Sequence, residues 1–142
     1  MFVDASVIVA ILNEEPSALA IEQRLAASVT EFRVSPLVLF EASVSLARAK
    51  SNAKRKDVKP THDMLVKAQA AVAAFVEALS AEEMVITTEI GRAALDACMH
   101  YGKAVGHKAD LNFGDCFSYA CANTAGISIA YVGNDFAQTD LA

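Results

Sequence analysis

Short apolar runs alternate with longer helical segments along this chain, and this alternation constrains the fold more than any other feature. Strand-like runs occupy residues 2–3, 32–34, 84–86 and 127–132. Apolar spacing and helix start signals predict helices over 5–13, 16–27, 35–49, 64–79, 88–102 and 112–124. Because strands separated by helices are typical of parallel sheets, the sequence predicts an α/β fold. We expect a central parallel sheet of about four to five strands, flanked by helices.

Composition sets the class of protein. The 142 residues are 54% hydrophobic, which favours one domain over 1–142 with a large core and argues against disorder. The longest strongly apolar run, 7–12, is too short to cross a membrane, and no leader pattern precedes it, so we expect a cytoplasmic protein. Three cysteines without C-x-x-C spacing and scattered histidines disfavour a zinc site or a disulfide framework, and indicate small buried thiols in helices.

The distribution of charge is more informative than its sum. A formal net charge of −5 argues against a general binder of polyanions. Half of the lysines and arginines nevertheless fall within residues 48–59, and they include Lys54, Arg55 and Lys56. Such a local basic patch can hold phosphates, although a solvated surface loop explains the same pattern.

Four acids stand in otherwise apolar or tightly turned surroundings: Asp4, Glu41, Asp115 and Asp135. Each has an ordinary explanation when it is taken alone. Asp4 can cap the helix that follows, Glu41 can reach solvent from the core edge, Asp115 suits a first helical turn, and Asp135 suits a turn. Glu41 interrupts the apolar face of its helix, because three of its four helical neighbours are apolar.

A shared site explains the acids together. Two carboxylates 5 Å apart repel by roughly 3 kcal/mol at an effective dielectric of 20, so a cluster needs protons or cations. Oxygen ligands favour the hard ions Mg²⁺ and Mn²⁺, which can activate water and stabilise a phosphodiester under attack. Asn112 and Ser118 share a helical face with Asp115, while Asn134 and Asp140 are alternatives to Asp135.

The acids lie in four recognisable motifs. These are Val3-Asp4-Ala5-Ser6, Glu41 in the helix after Ser35-Pro36, Leu111-Asn112-Phe113-Gly114-Asp115-Cys116-Phe117-Ser118-Tyr119-Ala120, and Gly133-Asn134-Asp135-Phe136. In this order the motifs resemble the PIN-domain ribonucleases over essentially the whole chain, and most closely the toxins of VapBC-type toxin–antitoxin pairs. The resemblance implies a PIN-like domain that cleaves RNA with Mg²⁺ or Mn²⁺, is silenced by a VapB-like antitoxin and forms a homodimer.

The resemblance also implies roles for particular residues. Asp4, Glu41 and Asp115 match the catalytic acids of the family, and Asp4 and Asp115 are expected to bind the metal directly. Ser6, Asn112 and Asn134 are expected to support the site. Related sequences often carry an acid at position 134, where this chain has Asn134, so we assign the fourth acid to Asp135. In this family the basic residues Lys54, Arg55 and Lys56 would hold the RNA backbone.

Two other functions remain as alternatives. An aspartyl-phosphate phosphotransferase would use Asp4 as its nucleophile, but such enzymes carry a second Asp two residues later, where this chain has Ser6. A catalytically silent PIN-like module would keep the fold and only bind protein partners. The apolar stripe of helix 64–79 is explained by packing within the chain, or by contact with an antitoxin helix or a second copy. A nucleotide-binding Rossmann domain is disfavoured, since neither G-x-G-x-x-G nor a P-loop follows the first strand.

Overall fold

Four short parallel strands form the centre of the structure, a computed structural model that describes residues 1–54 and 56–141. The strands are β1 (Phe2–Val3), β2 (Arg33–Val34), β3 (Glu82–Glu83) and β4 (Ile129–Ala130). Their order in the sheet is β3-β2-β1-β4. Phe2 is in register with Arg33 on one side and with Ile129 on the other, so β1 is a central strand. The predicted α/β fold with a parallel sheet is confirmed.

Six helices flank the sheet. They are α1 (Ala5–Leu12), α2 (Ala18–Ala26), α3 (Pro36–Lys54), α4 (His62–Ala78), α5 (Thr88–Tyr101) and α6 (Phe113–Ala125). α3 packs mainly against α4, and α5 packs mainly against α6, while α1 contacts both α2 and α3. Short 3₁₀ turns at Lys103–Val105 and Phe136–Gln138 complete the described elements.

Capping residues fix several helix ends. The Thr61 and Thr87 side chains accept hydrogen bonds from Met64 N and Ile90 N, at 3.3 and 3.2 Å. Thr87 is therefore the N-cap of α5, one residue before the predicted Thr88. Gly102 ends α5 as predicted, and Gly126 ends α6 with a positive φ of 63°, which favours glycine.

The third strand lies earlier than predicted, at Glu82–Glu83 instead of 84–86. Glu82 N donates to Phe32 O at 2.9 Å and Met84 N donates to Val34 O at 2.8 Å, which sets the pairing with β2. β3 is an edge strand and both of its glutamates are exposed, so no apolar pattern marks it. Met84 and Ile86 instead pack against the core from the following loop.

The third helix continues to Lys54, five residues beyond its predicted end at residue 49. Polar residues such as Lys50 keep good helix propensity, so their polarity does not end a helix. Ser51 faces inward from this extension, and its hydroxyl donates to Val58 O at 2.7 Å. The last predicted strand, 127–132, is conversely shorter, at Ile129–Ala130.

The core lies between the sheet and the helices. Its largest fully buried side chains include Phe2, Ile8, Val34, Leu111 and Phe136. Cys116 and Cys121 are buried free thiols on α6, and Cys98 is half-buried on α5. Among the described residues, no helix has the length and apolar character needed to cross a membrane.

Candidate active site

An acidic cavity of about 300 Å³ opens beside the carboxyl ends of β1 and β4. Its polar lining residues are Asp4, Ser6, Glu15, Glu41, Ser45, Asn112, Asp115 and Asp135. The four acids predicted from the sequence therefore face one space, although they come from four distant parts of the chain. This space is called the carboxylate cavity below.

Asp4 is held at the end of β1 by hydrogen bonds to both carboxylate oxygens. As the N-cap of α1, its Oδ2 accepts from Ser6 N at 2.9 Å and from Ser6 Oγ at 2.6 Å. Its Oδ1 accepts from Ser118 Oγ at 2.8 Å. Ser6 Oγ in turn accepts from Val132 N at 3.0 Å, which joins α1 to the chain after β4. Asp4 thus caps a helix and also belongs to the cavity, and only 5% of it is exposed.

Asp115 lies in the first turn of α6, where it forms a capping box with Asn112. Asp115 Oδ2 accepts from Asn112 N at 2.8 Å, and Asn112 Oδ1 accepts from Gly114 N at 2.7 Å. The opposite oxygen, Asp115 Oδ1, makes none of the described hydrogen bonds. The box therefore fixes the side chain and leaves one carboxylate oxygen for a ligand.

Glu41 reaches the cavity from α3, and Gly114 makes room for it. A Cβ built at Gly114 would overlap Glu41 Oε2 and would lie 2.9 Å from Glu41 Cδ. No other residue type fits beside this carboxylate unless Glu41 moves. This close approach brings Glu41 to the first turn of α6.

The far wall of the cavity is formed by the C-terminal segment, residues 133–141. Asp135 is exposed and lines the cavity. Asn134 is exposed and does not line it. Asp140 faces a different cavity, where it accepts a hydrogen bond from Tyr119 OH at 2.6 Å. Of the three alternatives for the fourth acid, the structure brings only Asp135 to the cavity.

Burial and mutual repulsion act on the acids of the carboxylate cavity. The pKa of Asp115 is raised to about 6, mainly by burial. The hydrogen bond from Asn112 N lowers this pKa, and the charges of Asp4, Asp135 and Asp110 raise it. Burial also raises the pKa of Glu41, with contributions from the charges of Asp4 and Asp115. In the described part of the chain, no Lys, Arg or His forms an ion pair with these acids.

The sequence-based predictions missed the partner of Ser118 and missed Ser45 and Glu15 altogether. Ser118 was placed near Asp115, but its hydrogen bond to Asp4 was not foreseen, because 114 positions separate the partners. Ser45 lies one helical turn beyond Glu41. Glu15 also lines the cavity. It follows the end of α1, where Glu14 has a positive φ of 56° and Glu15 N donates to Ala10 O at 2.9 Å. Two consecutive acids before a proline were the only signal for this turn.

The predicted RNA-binding residues are described only in part. Lys56 is exposed. Arg55 and the side chain of Lys54 lie outside the described residues. The assignment of these three residues to RNA binding stays a prediction.

Comparison with known proteins decides the family. Residues 1–141 match the PIN domain. The chain belongs to the PIN-domain family. It is similar to a VapC ribonuclease of Rhizobium meliloti, at 49% identity over 140 residues, which covers 99% of this chain and 98% of that protein. Ribonuclease VapC42 of Mycobacterium tuberculosis is 31% identical over 141 residues, with 99% and 96% coverage.

A solved structure shows the same fold. VapC20 of Mycobacterium tuberculosis, described as a toxin that cleaves the sarcin-ricin loop, superposes with a TM-score of 0.69. The alignment covers 96% of this chain and 92% of VapC20, at 20% identity. Together with the full-length relatives, this fold makes the chain a VapC-type member of the PIN-domain family, as the sequence motifs predicted.

Proposed function

We propose that this VapC-type chain is the toxin of a type II toxin–antitoxin pair, a metal-dependent endoribonuclease that acts on RNA in the cytoplasm. The full-length similarity to VapC ribonucleases supports the cleavage of RNA. The observation that carries the mechanism is the carboxylate cavity, which Asp4, Glu41, Asp115 and Asp135 line without a basic partner among the described residues. The proposed nuclease domain spans the whole chain, 1–142.

The donor set suits Mg²⁺ or Mn²⁺. Both ions prefer oxygen ligands, and the four acids offer only oxygens. A carboxylate has about four acceptor positions, and Asp4 uses three of them for Ser6 and Ser118. One position on Asp4 Oδ1 and the whole of Asp115 Oδ1 are left, so we assign the direct metal contacts to Asp4 and Asp115.

This assignment agrees with the spacing of the acids. Among the described residues, no three His, Cys, Asp or Glu side chains already converge as a metal-ligand cluster. Mg²⁺ commonly keeps several waters and binds proteins through one or two carboxylates, so a converged cluster is not required. Glu41 and Asp135 would then accept hydrogen bonds from water on the cavity walls.

Different residues of the chain have different proposed roles in hydrolysis. When bound, the ion supplies positive charge for the phosphodiester and lowers the pKa of a nearby water. The Glu41 carboxylate, which lies close to Gly114, would take a proton from the attacking water. Ser6, Ser118 and Asn112 keep Asp4 and Asp115 in their rotamers, which preserves the geometry of the cavity.

Cleavage of a labelled RNA tests the proposal. We expect cleavage in Mg²⁺ or Mn²⁺, none in EDTA, and a loss of at least about 100-fold in Asp4→Asn and Asp115→Asn. Asp96→Asn, an exposed carboxyl on α5, is the matched control and should keep wild-type cleavage. Equal cleavage in EDTA would remove the metal mechanism. Absence of cleavage by the wild type under every condition would favour the silent binding module.

The basic residues of 54–56 are proposed to hold the RNA backbone. Neutral substitution of all three should weaken binding to single-stranded RNA, and should reduce the slope of log K against log salt by about 2. Asp57→Asn, in the same turn, is the control and should not flatten the slope. An unchanged slope in the neutral variant would return this segment to an ordinary solvated surface.

Protein partners are proposed to cover the apolar surfaces. An apolar groove of about 440 Å³ runs between α3 and α4, with Phe40 70% exposed on its rim. The stripe predicted on α4 is buried at Ala68 and Val72 but exposed at Leu65, which lines this groove. We assign the groove to the amphipathic helix of a VapB-like antitoxin.

The exposed apolar side chains Val85, Leu95 and Phe113 are assigned to a homodimer contact. Sedimentation of wild type and Phe113→Asp tests this assignment. A monomeric wild type would refute it.

A further inference from the structure

The C-terminal segment carries Asp135 to the carboxylate cavity, yet little regular structure supports it. Its described backbone hydrogen bonds are local, from Ala137 N to Asn134 O and from Thr139 N to Phe136 O, both at 3.1 Å. The Thr139 hydroxyl also bonds within the segment, to Phe136 O at 2.8 Å. These bonds fold the segment on itself and do not attach it to the rest of the molecule.

The segment is attached to the rest of the chain by the buried Phe136, by the half-buried Leu141 and by one hydrogen bond. Phe136 is buried, with 2% exposed, and its ring packs against Tyr131 at a centroid distance of 5.1 Å. Tyr119 OH donates to Asp140 Oδ1 at 2.6 Å. Over the described residues, this is the only hydrogen bond that ties 133–141 to the rest of the chain. Upstream, the nearest tie is Val132 N to Ser6 Oγ.

The donor of this hydrogen bond is rigid and stays protonated. Tyr119 is 6% exposed on α6, and its ring packs against Tyr101 at 5.4 Å. Burial and the neighbouring Asp140 raise the pKa of Tyr119 well above its ordinary value, so its hydroxyl remains a donor at neutral pH. A hydrogen bond to an ionised acceptor is stronger than one between neutral groups.

Repulsion between carboxylates acts against the position of Asp135, and the hydrogen bond from Tyr119 to Asp140 can oppose it. Asp135 is exposed, and it faces the like charges of Asp4 and Asp115 across the cavity, which favour its displacement in the absence of a cation. Ser118, the residue before Tyr119, holds Asp4. Two successive residues of α6 therefore donate hydrogen bonds to Asp4 and to the C-terminal segment that carries Asp135.

We propose that Tyr119 is a positioning residue that, through Asp140, holds the C-terminal segment against α6 and so keeps Asp135 at the metal site. The inference rests on the proposed function, because it gives Asp135 a part in metal binding. Tyr119 lines a different cavity from Asp135 and acts only through the intervening segment.

A double-mutant cycle tests the proposal, with Mn²⁺ affinity measured by electron paramagnetic resonance. Tyr119→Phe keeps the ring and removes the donor, and we expect it to weaken Mn²⁺ binding by about tenfold. In an Asp135→Asn background, Tyr119→Phe should weaken Mn²⁺ binding by less than about twofold, because the carboxylate that Tyr119 positions is already gone. Tyr131→Phe, whose hydroxyl makes none of the described hydrogen bonds, is the control and should bind Mn²⁺ as the wild type does.

Variants at Asp140 give a second route, because this residue is exposed and its substitution leaves the core intact. Asp140→Ala should reproduce the loss seen in Tyr119→Phe, whereas Asp140→Asn keeps an acceptor oxygen and should restore most of the affinity. Equal losses in both backgrounds, or no loss in Tyr119→Phe and Asp140→Ala, would overturn the inference alone. An unchanged Asp135→Asn would overturn the assignment of the fourth acid, and this inference with it.

Discussion

Replacement of Asp115 by asparagine is expected to stabilise the metal-free protein while it abolishes activity. The structure sets the size of the effect. The pKa of Asp115 rises from its usual 3.8 to about 6, mainly through burial. At about 1.36 kcal/mol per pH unit, the ionised carboxyl would cost at most about 3 kcal/mol, and screening in a cavity open to water reduces this to about 1–2 kcal/mol. Asparagine Oδ1 can still accept the hydrogen bond from Asn112 N, so the capping box survives.

The direction of the pKa shift determines how the stability difference changes with pH. A raised pKa means that the folded state holds the proton more tightly than the unfolded state. The cost of ionisation is therefore complete above about pH 6, and it disappears as the pH falls toward the unfolded value near 4. Thermal unfolding in EDTA should show Asp115→Asn about 3–6 °C more stable than the wild type at pH 8. At pH 4 the two proteins should unfold together.

A control and a cation complete this experiment. Asp96→Asn removes an exposed carboxyl outside the cavity and should not shift the midpoint at pH 8. Saturating Mn²⁺ should stabilise the wild type, by about 2.7 kcal/mol at 100 times the dissociation constant, and should leave Asp115→Asn almost unchanged. The electrostatic reasoning is refuted if metal-free Asp115→Asn is no more stable than the wild type at pH 8.

Three further substitutions probe the same cavity. Gly114→Ala places a Cβ on Glu41 and should lower RNA cleavage more than tenfold with a small change in stability, whereas Gly91→Ala, which meets open space, should keep full activity. Ser118→Ala removes the hydrogen-bond donor to Asp4 Oδ1 and should lower the free energy of unfolding by about 1 kcal/mol, measured by chemical denaturation. The variant should also bind Mn²⁺ more weakly. Unchanged Mn²⁺ binding would show that Asp4 holds its rotamer without Ser118. Glu15→Gln lowers the negative charge of the cavity and should weaken Mn²⁺ binding by a few fold in a calorimetric titration. Glu22→Gln, which changes an exposed glutamate, is the control and should keep wild-type Mn²⁺ affinity.

The sequence predicted the elements whose signals are local. Buried runs such as Phe2–Val3 marked central strands, and apolar spacing with helix start signals located the six helices. The edge strand β3 was placed wrongly because two exposed glutamates give no apolar signal. The extent of α3 was missed because its last turns are polar, and polarity does not separate a solvated helix from a loop.

For the candidate site, the sequence predicted which acids to consider and not how the chain holds them. Asp4, Glu41 and Asp115 each interrupted a local pattern, so they could be selected one at a time. The choice of Asp135 over Asp140 needed the structure, because only the tertiary contact of Asp140 with Tyr119 turns it away. The hydrogen bond of Ser118 with Asp4 was hidden for the same reason, since local patterns carry no information about partners far apart in the chain.

Mn²⁺ binding and RNA cleavage measured on the same samples test the central claim most directly. The wild type, four carboxamide variants and the Asp96→Asn control would be titrated with Mn²⁺ by electron paramagnetic resonance and assayed on one labelled RNA. The four variants are Asp4→Asn, Glu41→Gln, Asp115→Asn and Asp135→Asn. We expect Asp4→Asn and Asp115→Asn to lose Mn²⁺ binding and cleavage together, with smaller losses of affinity in Glu41→Gln and Asp135→Asn. Wild-type Mn²⁺ affinity in all four variants, whatever their cleavage, would contradict a metal site built from these carboxylates.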